Sequence, residues 1–273
     1  MPFHVDPEKC NRDGFCVEAC GRRLIEIEKP DSVPTLIAGV EELCINCGHC
    51  VAVCPSGALA LQTMRPEDCP QIKNELLIDL EQAGQFLRSR RSIRNYRDKP
   101  VERDKLNKLI QVSGYAPSAS NARPVHFLVI ENKTEIRRLS GLVVDWMRMT
   151  IKEDPTSGNA FIFDRLVALW DRGKDPICRN APHLIVAHAA ESSRMVQVDC
   201  VLALAYPELI APLLGLGATW AGYVMTATFF YPPLMEALNL PEGHKCFGIM
   251  MVGYPKLKFV RMPMRNPPAV AWR

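Results

Sequence analysis

The sequence predicts an α+β fold in two parts, a small cysteine-rich domain followed by a larger domain of mixed helices and strands. Seven of the eleven cysteines lie before residue 55, whereas the other four are scattered singly. Beyond about residue 88, segments with the pattern of strands are separated by long apolar helical segments, which is typical of a mixed layer fold. At 273 residues the chain is long enough for about two domains.

Four of the early cysteines form one closely spaced motif. Cys44, Cys47, Cys50 and Cys54, followed by Pro55, have the spacing C-x2-C-x2-C-x3-C-P. This spacing is typical of bacterial proteins that bind cubane iron–sulfur clusters, in which the first three thiolates bind one cluster and the fourth binds another. The motif therefore indicates electron transfer, and it predicts a second cluster site nearby.

A near-copy of this motif lies upstream, with an aspartate in place of the second cysteine. Because ligation in two-cluster proteins is crossed, we expect two ligand sets. A 4Fe-4S cluster is assigned to Cys20, Cys44, Cys47 and Cys50, and the other cluster to Cys10, Asp13, Cys16 and Cys54. A carboxylate suits a soft iron–sulfur centre less well than a thiolate, so the second cluster is expected to be either 4Fe-4S with an Asp ligand or 3Fe-4S. Structural zinc is the alternative, since short Cys-x2-Cys pairs also bind zinc.

Composition narrows the class of protein. A net charge of +3, with the basic residues in short runs, gives no sign of nucleic-acid binding. An odd number of cysteines without a signal-like N-terminus favours a reducing compartment, so a cytoplasmic protein is expected. The apolar stretch from Cys200 to Leu216 is interrupted by Pro207, Glu208 and Pro212, which predicts a buried core helix rather than a membrane span.

Hydrophobic periodicity places the remaining elements along the chain. Residues 1–65 are expected to form the cluster domain, residues 66–87 a connecting segment, and residues 88–273 the larger domain. Strands are predicted at Leu24–Glu28, Leu59–Gln62, Val125–Glu131, His183–Ala189 and Cys246–Tyr254. Helices are predicted at Leu76–Phe86, Arg103–Gly114, Lys133–Thr150, Asn159–Trp170 and Ser193–Gly217.

Three short segments of the larger domain carry polar groups suited to a cofactor. Arg90, Ser92 and Arg94 combine two guanidinium groups with a hydroxyl, a set that suits a phosphate monoester. A second basic run includes Arg261 and Arg265, although either run alone is also typical of a solvated surface. The third segment, Ala116 to Pro124, offers amides and hydroxyls immediately before a predicted strand, where they could face a flat polar ring.

Together and in this order, the three segments resemble the nitroreductase family of flavoproteins. The resemblance extends from about Arg88 to Arg265 and includes the segments Asn180-Ala-Pro182 and Gly215 to Gly222. The whole chain resembles the subgroup of that family with an N-terminal two-cluster ferredoxin domain. The resemblance implies FMN bound at a homodimer interface on a mainly antiparallel sheet flanked by helices.

The resemblance also implies the roles of individual residues. The FMN phosphate is expected to contact Arg90, Ser92, Arg94, Arg261 and Arg265. The ring and ribityl chain are expected to contact Pro117, Ser118, Ser120 and Asn121 of the neighbouring subunit. Ala221 and Gly222 are expected to approach the edge of the ring, where glycine permits a close backbone approach.

Clusters fused to a flavin indicate a path that joins single-electron transfer to reduction of an organic acceptor. We therefore expect an FMN-dependent iron–sulfur oxidoreductase that acts on a nitro compound, quinone or activated alkene, with ferredoxin or NAD(P)H as soluble donor. No catalytic side chain is predicted, and His126 is the sole candidate proton donor. The alternative is a non-catalytic electron carrier or redox sensor that acts with protein partners.

Overall fold

The computed structural model describes residues 3–191 and 195–273. The chain forms two compact units, one comprising Met1–Ile78 with Ser120–Ala122 and the other comprising Asp79–Ala119 with Arg123–Arg273. The division at residue 78 lies inside the segment 66–87 that the sequence predicts to connect the domains. The first residues of the helix predicted at Ser193–Gly217 lie outside the described residues.

The first unit consists of very short elements in two similar halves. Its elements are β1 (Phe3–Val5), α1 (Phe15–Ala19), β2 (Ile25–Glu26), β3 (Thr35–Leu36), α2 (His49–Val53) and β4 (Leu59–Leu61). Strand β1 pairs with β4 and strand β2 with β3, both antiparallel. Gly14 and Gly48 precede the two helices with φ of 78° and 76°, a left-handed conformation that glycine adopts without steric cost. The two cluster motifs therefore fold in the same way.

The second unit is built on one antiparallel sheet. Its strands are β5 (His126–Ile130), β6 (His183–Ala190), β7 (Gly217–Trp220) and β8 (His244–Gly253). Its helices are α3 (Leu80–Ser89), α4 (Arg103–Ser113), α5 (Lys133–Glu153), α6 (Ala160–Asp171), α7 (Val196–Ile210), α8 (Gly222–Phe230) and α9 (Pro232–Leu238). The strand order is β5-β6-β8-β7, and every neighbouring pair is antiparallel. This architecture confirms the predicted α+β class and the antiparallel sheet.

Helices cover both faces of this sheet, which is why β6 is apolar at successive positions. Leu184 and Val186 belong to one core with residues of α5 and α8, whereas Ile185 and Ala187 belong to the opposite core with residues of α4 and α7. Side chains alternate between the two faces of a strand, so a strand covered on both faces is apolar throughout.

The apolar stretch after residue 195 packs on the sheet through α7. Cys200 and Leu204 are fully buried in the second of these cores. In the part of the chain that the structure describes, Val196–Leu214 is one stretch long and apolar enough to cross a membrane by length and composition, and 39% of it is buried. A core helix passes the same test.

Several elements differ from the sequence prediction, and helices α8 and α9 were not predicted. Helix α3 begins at Leu80 rather than Leu76, because Asp79 and Gln82 form a reciprocal capping box that fixes the first turn. Strand β7 was not predicted: only its first residue, Gly217, belongs to the segment predicted to be helical, and its four residues pair with β8. So short a buried segment carries no periodicity that would distinguish a strand from a helix.

Candidate functional site

The ligand set assigned to the second cluster surrounds one cavity in the first unit. Cys10, Asp13, Cys16 and Cys54 all line this small cavity, together with apolar groups that include those of Val5, Pro34 and Leu59. Three thiols and a carboxylate within an apolar wall are a donor set that suits an iron–sulfur cluster. Cys54 thus comes together with Cys10 and Cys16 from the other motif, as crossed ligation requires.

Asp13 also forms a local hydrogen bond. The backbone N–H of Phe15 donates to Asp13 Oδ1 at 3.1 Å, so one carboxylate oxygen fixes the turn before α1. This hydrogen bond holds the Asp13 side chain beside the cavity. The other carboxylate oxygen, Oδ2, is sufficient for monodentate binding to iron.

The thiols of the first ligand set are also close together. Burial raises the pKa of Cys50 to about 11, and the proximity of Cys47 and Cys44 adds to this. His49 Nδ1 lies 3.0 Å from Cys47 Sγ, and its ring is exposed. Since the thiolate form is the one that binds metal, iron binding at Cys50 must release a proton.

The last cysteine of each motif accepts a backbone hydrogen bond at the same relative position. Leu24 N–H donates to Cys20 Sγ at 3.4 Å, and Ala58 N–H donates to Cys54 Sγ at 3.3 Å. Burial alone would raise the pKa of Cys54, but hydrogen bonds from Ser56 and Ala58 outweigh it and the pKa is lowered. Such N–H···S bonds stabilise thiolates and tune cluster potentials.

No three His, Cys, Asp or Glu side chains converge on a point that could hold one metal ion in residues 3–191 and 195–273. A tetrahedral zinc ion needs ligands about 2.0–2.3 Å from one centre. The ligands of a four-iron cluster instead surround a larger volume, because each binds a different iron.

In the second unit, part of the predicted phosphate set meets at one cleft of about 480 Å³. Arg90 and Arg265 both line it, as does Arg91. Arg91 Nε is buried and has no hydrogen-bond partner among the described residues. Because buried donors are nearly always hydrogen-bonded, the Arg91 Nε–H group is suited to an acceptor on a bound ligand. Ser92, Arg94 and Arg261 do not line this cleft, and Arg94 and Arg261 are exposed.

Arg90 is held by an acid that the sequence analysis did not assign. Its Nη1 donates to Glu208 Oε1 at 3.0 Å, and Trp220 Nε1 donates to Glu208 Oε2 at 3.1 Å. Glu208 is a charged residue in the largely apolar helix α7. Because a buried charge needs a partner, this position was the sequence signal that could have pointed to the ion pair. The pair leaves other guanidinium N–H groups of Arg90 available to an anion.

A glycine allows the segment around Arg90 to approach the sheet. A Cβ at Gly217 on β7 would lie 2.7 Å from Cβ of Ile93, which is too close for any larger residue. Ile93 N–H also donates to Ala218 O at 3.0 Å. Gly217 is therefore required for the position of Ile93, whose neighbours are Ser92 and Arg94.

The predicted ring-binding loop is fixed by several polar contacts. Ser118 Oγ accepts from Arg123 N–H at 2.9 Å, and Ala119 N–H donates to the buried Asp199 Oδ1 at 3.0 Å. Within the first unit, Asn121 Nδ2 donates to Ile45 O and Asn46 O, each at 3.1 Å.

The same loop has an unusual backbone. Ser120, Asn121 and Arg123 have φ of 51°, 55° and 48°, and Ser120 also accepts a hydrogen bond from Arg22 at 3.2 Å. Non-glycine residues in this region cost roughly 1–3 kcal/mol each and are common at functional sites. Pro117 is exposed beside them.

Ala221 and Gly222 join β7 to α8. Ala221 N–H donates to Ile249 O at 2.8 Å, which fixes the backbone at this position. Apart from its chain neighbours and the backbone of its own helix, no atom of the described residues lies within 4 Å of the position that a Gly222 Cβ would occupy. Packing within the chain therefore does not explain this glycine. His126, at the start of β5, is exposed and in ring contact with His188 and His244.

Comparison with known proteins assigns a family to each of the two parts of the chain. Residues 87–254 match the nitroreductase family, and residues 8–58 match the 4Fe-4S dicluster domain. A protein from Archaeoglobus fulgidus that carries the name NADH dehydrogenase/NAD(P)H nitroreductase is 27% identical over 182 residues, which cover 65% of this chain and 87% of the relative. The FMN reductase (NAD(P)H) of Bacillus subtilis is 27% identical, with 67% and 70% covered.

A solved structure shows the same fold in the second unit. The nitroreductase with bound FMN from Bacteroides fragilis has a TM-score of 0.56 and 22% identity, and the match covers 70% of this chain and 99% of that one. The family match extends over more than half of the chain and confirms the resemblance inferred from the motifs. The protein therefore belongs to the nitroreductase family of oxidoreductases and carries a 4Fe-4S dicluster domain ahead of its nitroreductase domain.

Proposed function

We propose that the protein passes single electrons through two iron–sulfur clusters to or from FMN and reduces a small organic acceptor, such as a nitro compound, quinone or activated alkene. The observation that carries the proposal is the cavity lined by Cys10, Asp13, Cys16 and Cys54 in a chain of the nitroreductase family. A cytoplasmic homodimer that receives electrons from NAD(P)H or a soluble ferredoxin fits this function.

Each part of the chain has a defined task in this proposal. Iron–sulfur clusters supply single-electron transfer, and FMN supplies the exchange between one-electron and two-electron chemistry when it is bound. Cys20, Cys44, Cys47 and Cys50 hold one cluster, and the set that includes Asp13 holds the other. Arg90 and Arg265 bind the FMN phosphate at their cleft through charge-assisted hydrogen bonds. Ser92, Arg94 and Arg261, which lie outside the lining of the cleft but near these arginines in the sequence, add further contacts to the phosphate.

The contacts to the flavin ring and ribityl chain come from two further segments in this proposal. Pro117, Ser118, Ser120 and Asn121 of the neighbouring subunit present hydroxyls and amides on a loop that hydrogen bonds fix within each chain. Ala221 and Gly222 offer backbone groups at the end of β7, where the absence of a side chain leaves room for the ring edge.

The proposal is tested by anaerobic purification, followed by measurement of iron, sulfide and FMN per chain and a reductive titration with a one-electron donor. We expect about seven or eight irons and about one FMN, with cluster EPR signals and flavin absorbance changing in linked steps. Turnover of a small acceptor should exceed the rate of free FMN.

Three outcomes of the same experiment would contradict it. Flavin that remains oxidised while the clusters reduce would break the proposed link between them. Linked reduction without turnover of any small acceptor would instead favour a carrier or sensor. Zinc without iron in elemental analysis would refute the cluster assignment altogether.

A substitution at Asp13 tests its role as a ligand. Asp13→Cys should supply a fourth thiolate, so that the variant retains about one more iron per chain than the wild type after mild oxidation. The control is Asp31→Cys, which adds a cysteine in the first unit at an exposed position outside both ligand sets. Equal iron retention in Asp13→Cys and wild type would show that Asp13 does not bind the labile iron.

A further inference from the structure

A second cleft in the nitroreductase domain has no role in the proposed electron path. Its volume is about 590 Å³, and none of its lining residues belongs to the set assigned to FMN. Pockets of about 300–1,000 Å³ are typical of small-molecule sites. The cleft is therefore large enough for an organic molecule rather than a single ion.

The charges around this cleft are unbalanced. Four basic side chains line it, those of Arg97, Lys133, Arg137 and Lys256, against two acidic ones. The carboxylate of buried Asp175 is already occupied, since it accepts backbone N–H groups of Ile177, Cys178 and Asn180 at 3.0–3.1 Å. The other acid, Asp98, forms an ion pair with Lys133. Both carboxylates that line the cleft are therefore engaged by other groups, and neither is left to pair with Arg97, Arg137 or Lys256.

Both arginines are held in place by contacts that leave donors available. Arg97 Nε donates to Pro255 O at 3.0 Å. The guanidinium of Arg137 lies 3.6 Å from the centre of the Trp170 ring, and its Nη2 is 3.4 Å from Gly173 O. A guanidinium has five N–H donors, so each arginine keeps several for a ligand and loses little freedom on binding.

The position of α5 adds to the positive potential. This helix of 21 residues begins at Lys133, and Arg137 follows one turn later, so both cations lie at its N-terminal end. The macrodipole of a helix places about half a positive charge at this end. Helix and side chains thus favour negative charge at the same place.

We propose that this cleft binds a small organic dianion, either a phosphate monoester or a dicarboxylate. Cations gathered around one cleft repel each other, and a dianion offsets that repulsion while it accepts hydrogen bonds from both arginines. The site does not depend on the proposed electron path, because it uses different residues.

The test is isothermal titration calorimetry on the protein purified with its cofactors, at low ionic strength. The probes are adenosine monophosphate, succinate and inorganic phosphate. We expect saturable binding of at least one of the organic dianions, tighter than that of inorganic phosphate and weakened by added salt. Tighter binding of adenosine monophosphate would identify a phosphate site, and tighter binding of succinate a carboxylate site.

Three variants are expected to change the affinity for the dianion in different ways. Lys133→Gln combined with Lys256→Gln should weaken binding at least about ten-fold. Lys108→Gln combined with Lys152→Gln removes the same charge from exposed positions that do not line the cleft and should leave affinity unchanged. Asp98→Asn removes the acid that competes for Lys133, so binding should become several-fold tighter.

Several results would overturn the proposal. One is that neither organic dianion binds at about 10 mM. Another is that the two double lysine variants lose affinity equally, and a third is that Asp98→Asn binds the dianion more weakly than the wild type. Release of FMN by adenosine monophosphate, seen as a rise in free flavin fluorescence, would show that the probe occupies the flavin site instead.

Discussion

Removal of iron is expected to unfold the first unit of this protein while the second unit keeps its fold. Among the described residues, the core of the first unit is a cluster of six buried side chains, and two of these belong to the proposed cluster ligands Cys16 and Cys50. Its strands have two or three residues and its helices five. A domain of this size without metal or disulfides buries too little apolar surface to offset the entropy of folding.

Hydrogen–deuterium exchange after anaerobic chelation would measure this effect in both units at once. Residues 3–78 should lose nearly all protection, whereas buried residues of the second unit, such as Leu184 on β6, should keep theirs. Protein treated identically but reconstituted with iron and sulfide is the control. Protection of residues 3–78 that survives chelation would show that the clusters do not hold this unit together.

Loss of FMN is expected in two arginine variants, but with different effects on stability. Each charged hydrogen bond to the phosphate contributes about 1.5–3 kcal/mol, so Arg94→Ala should weaken FMN binding roughly ten- to a hundred-fold. Because Arg94 is exposed, the free energy of unfolding should hardly change. Arg103→Ala removes an exposed arginine that is paired with Glu131 and should leave FMN affinity unchanged.

Arg90→Ala should lower both FMN affinity and stability, because it leaves Glu208 without its cationic partner and with the hydrogen bond from Trp220 alone. The side chains are 31% and 13% exposed, so the loss of the pair should cost about 1–2 kcal/mol of unfolding free energy. Adding Glu208→Gln should restore much of the stability without restoring FMN binding. Measurements of flavin fluorescence and urea unfolding separate the two effects, and retention of FMN at wild-type affinity in both arginine variants would refute the phosphate site.

Local sequence was sufficient to predict the 4Fe-4S dicluster domain and the longest elements. The spacing of Cys44, Cys47, Cys50 and Cys54 is imposed by the geometry of a cluster-binding loop, so it can be read without a fold. Helix α5 and strand β6 are long and strongly patterned, and both were predicted close to their observed bounds. Strand β7 was not predicted because a segment of four residues, three of them buried, has no detectable period.

The sequence by itself determined the family, the presence of a 4Fe-4S dicluster domain and the α+β class, since each depends on motifs and patterns of residues close together in the chain. Only the tertiary structure decided which distant residues meet. It pairs Arg90 with Glu208, fits Ile93 against Gly217 and gathers Arg97, Lys133, Arg137 and Lys256 around one cleft. Such contacts arise from the packing of helices on a sheet, and no local pattern encodes them because their partners are set by topology rather than by spacing.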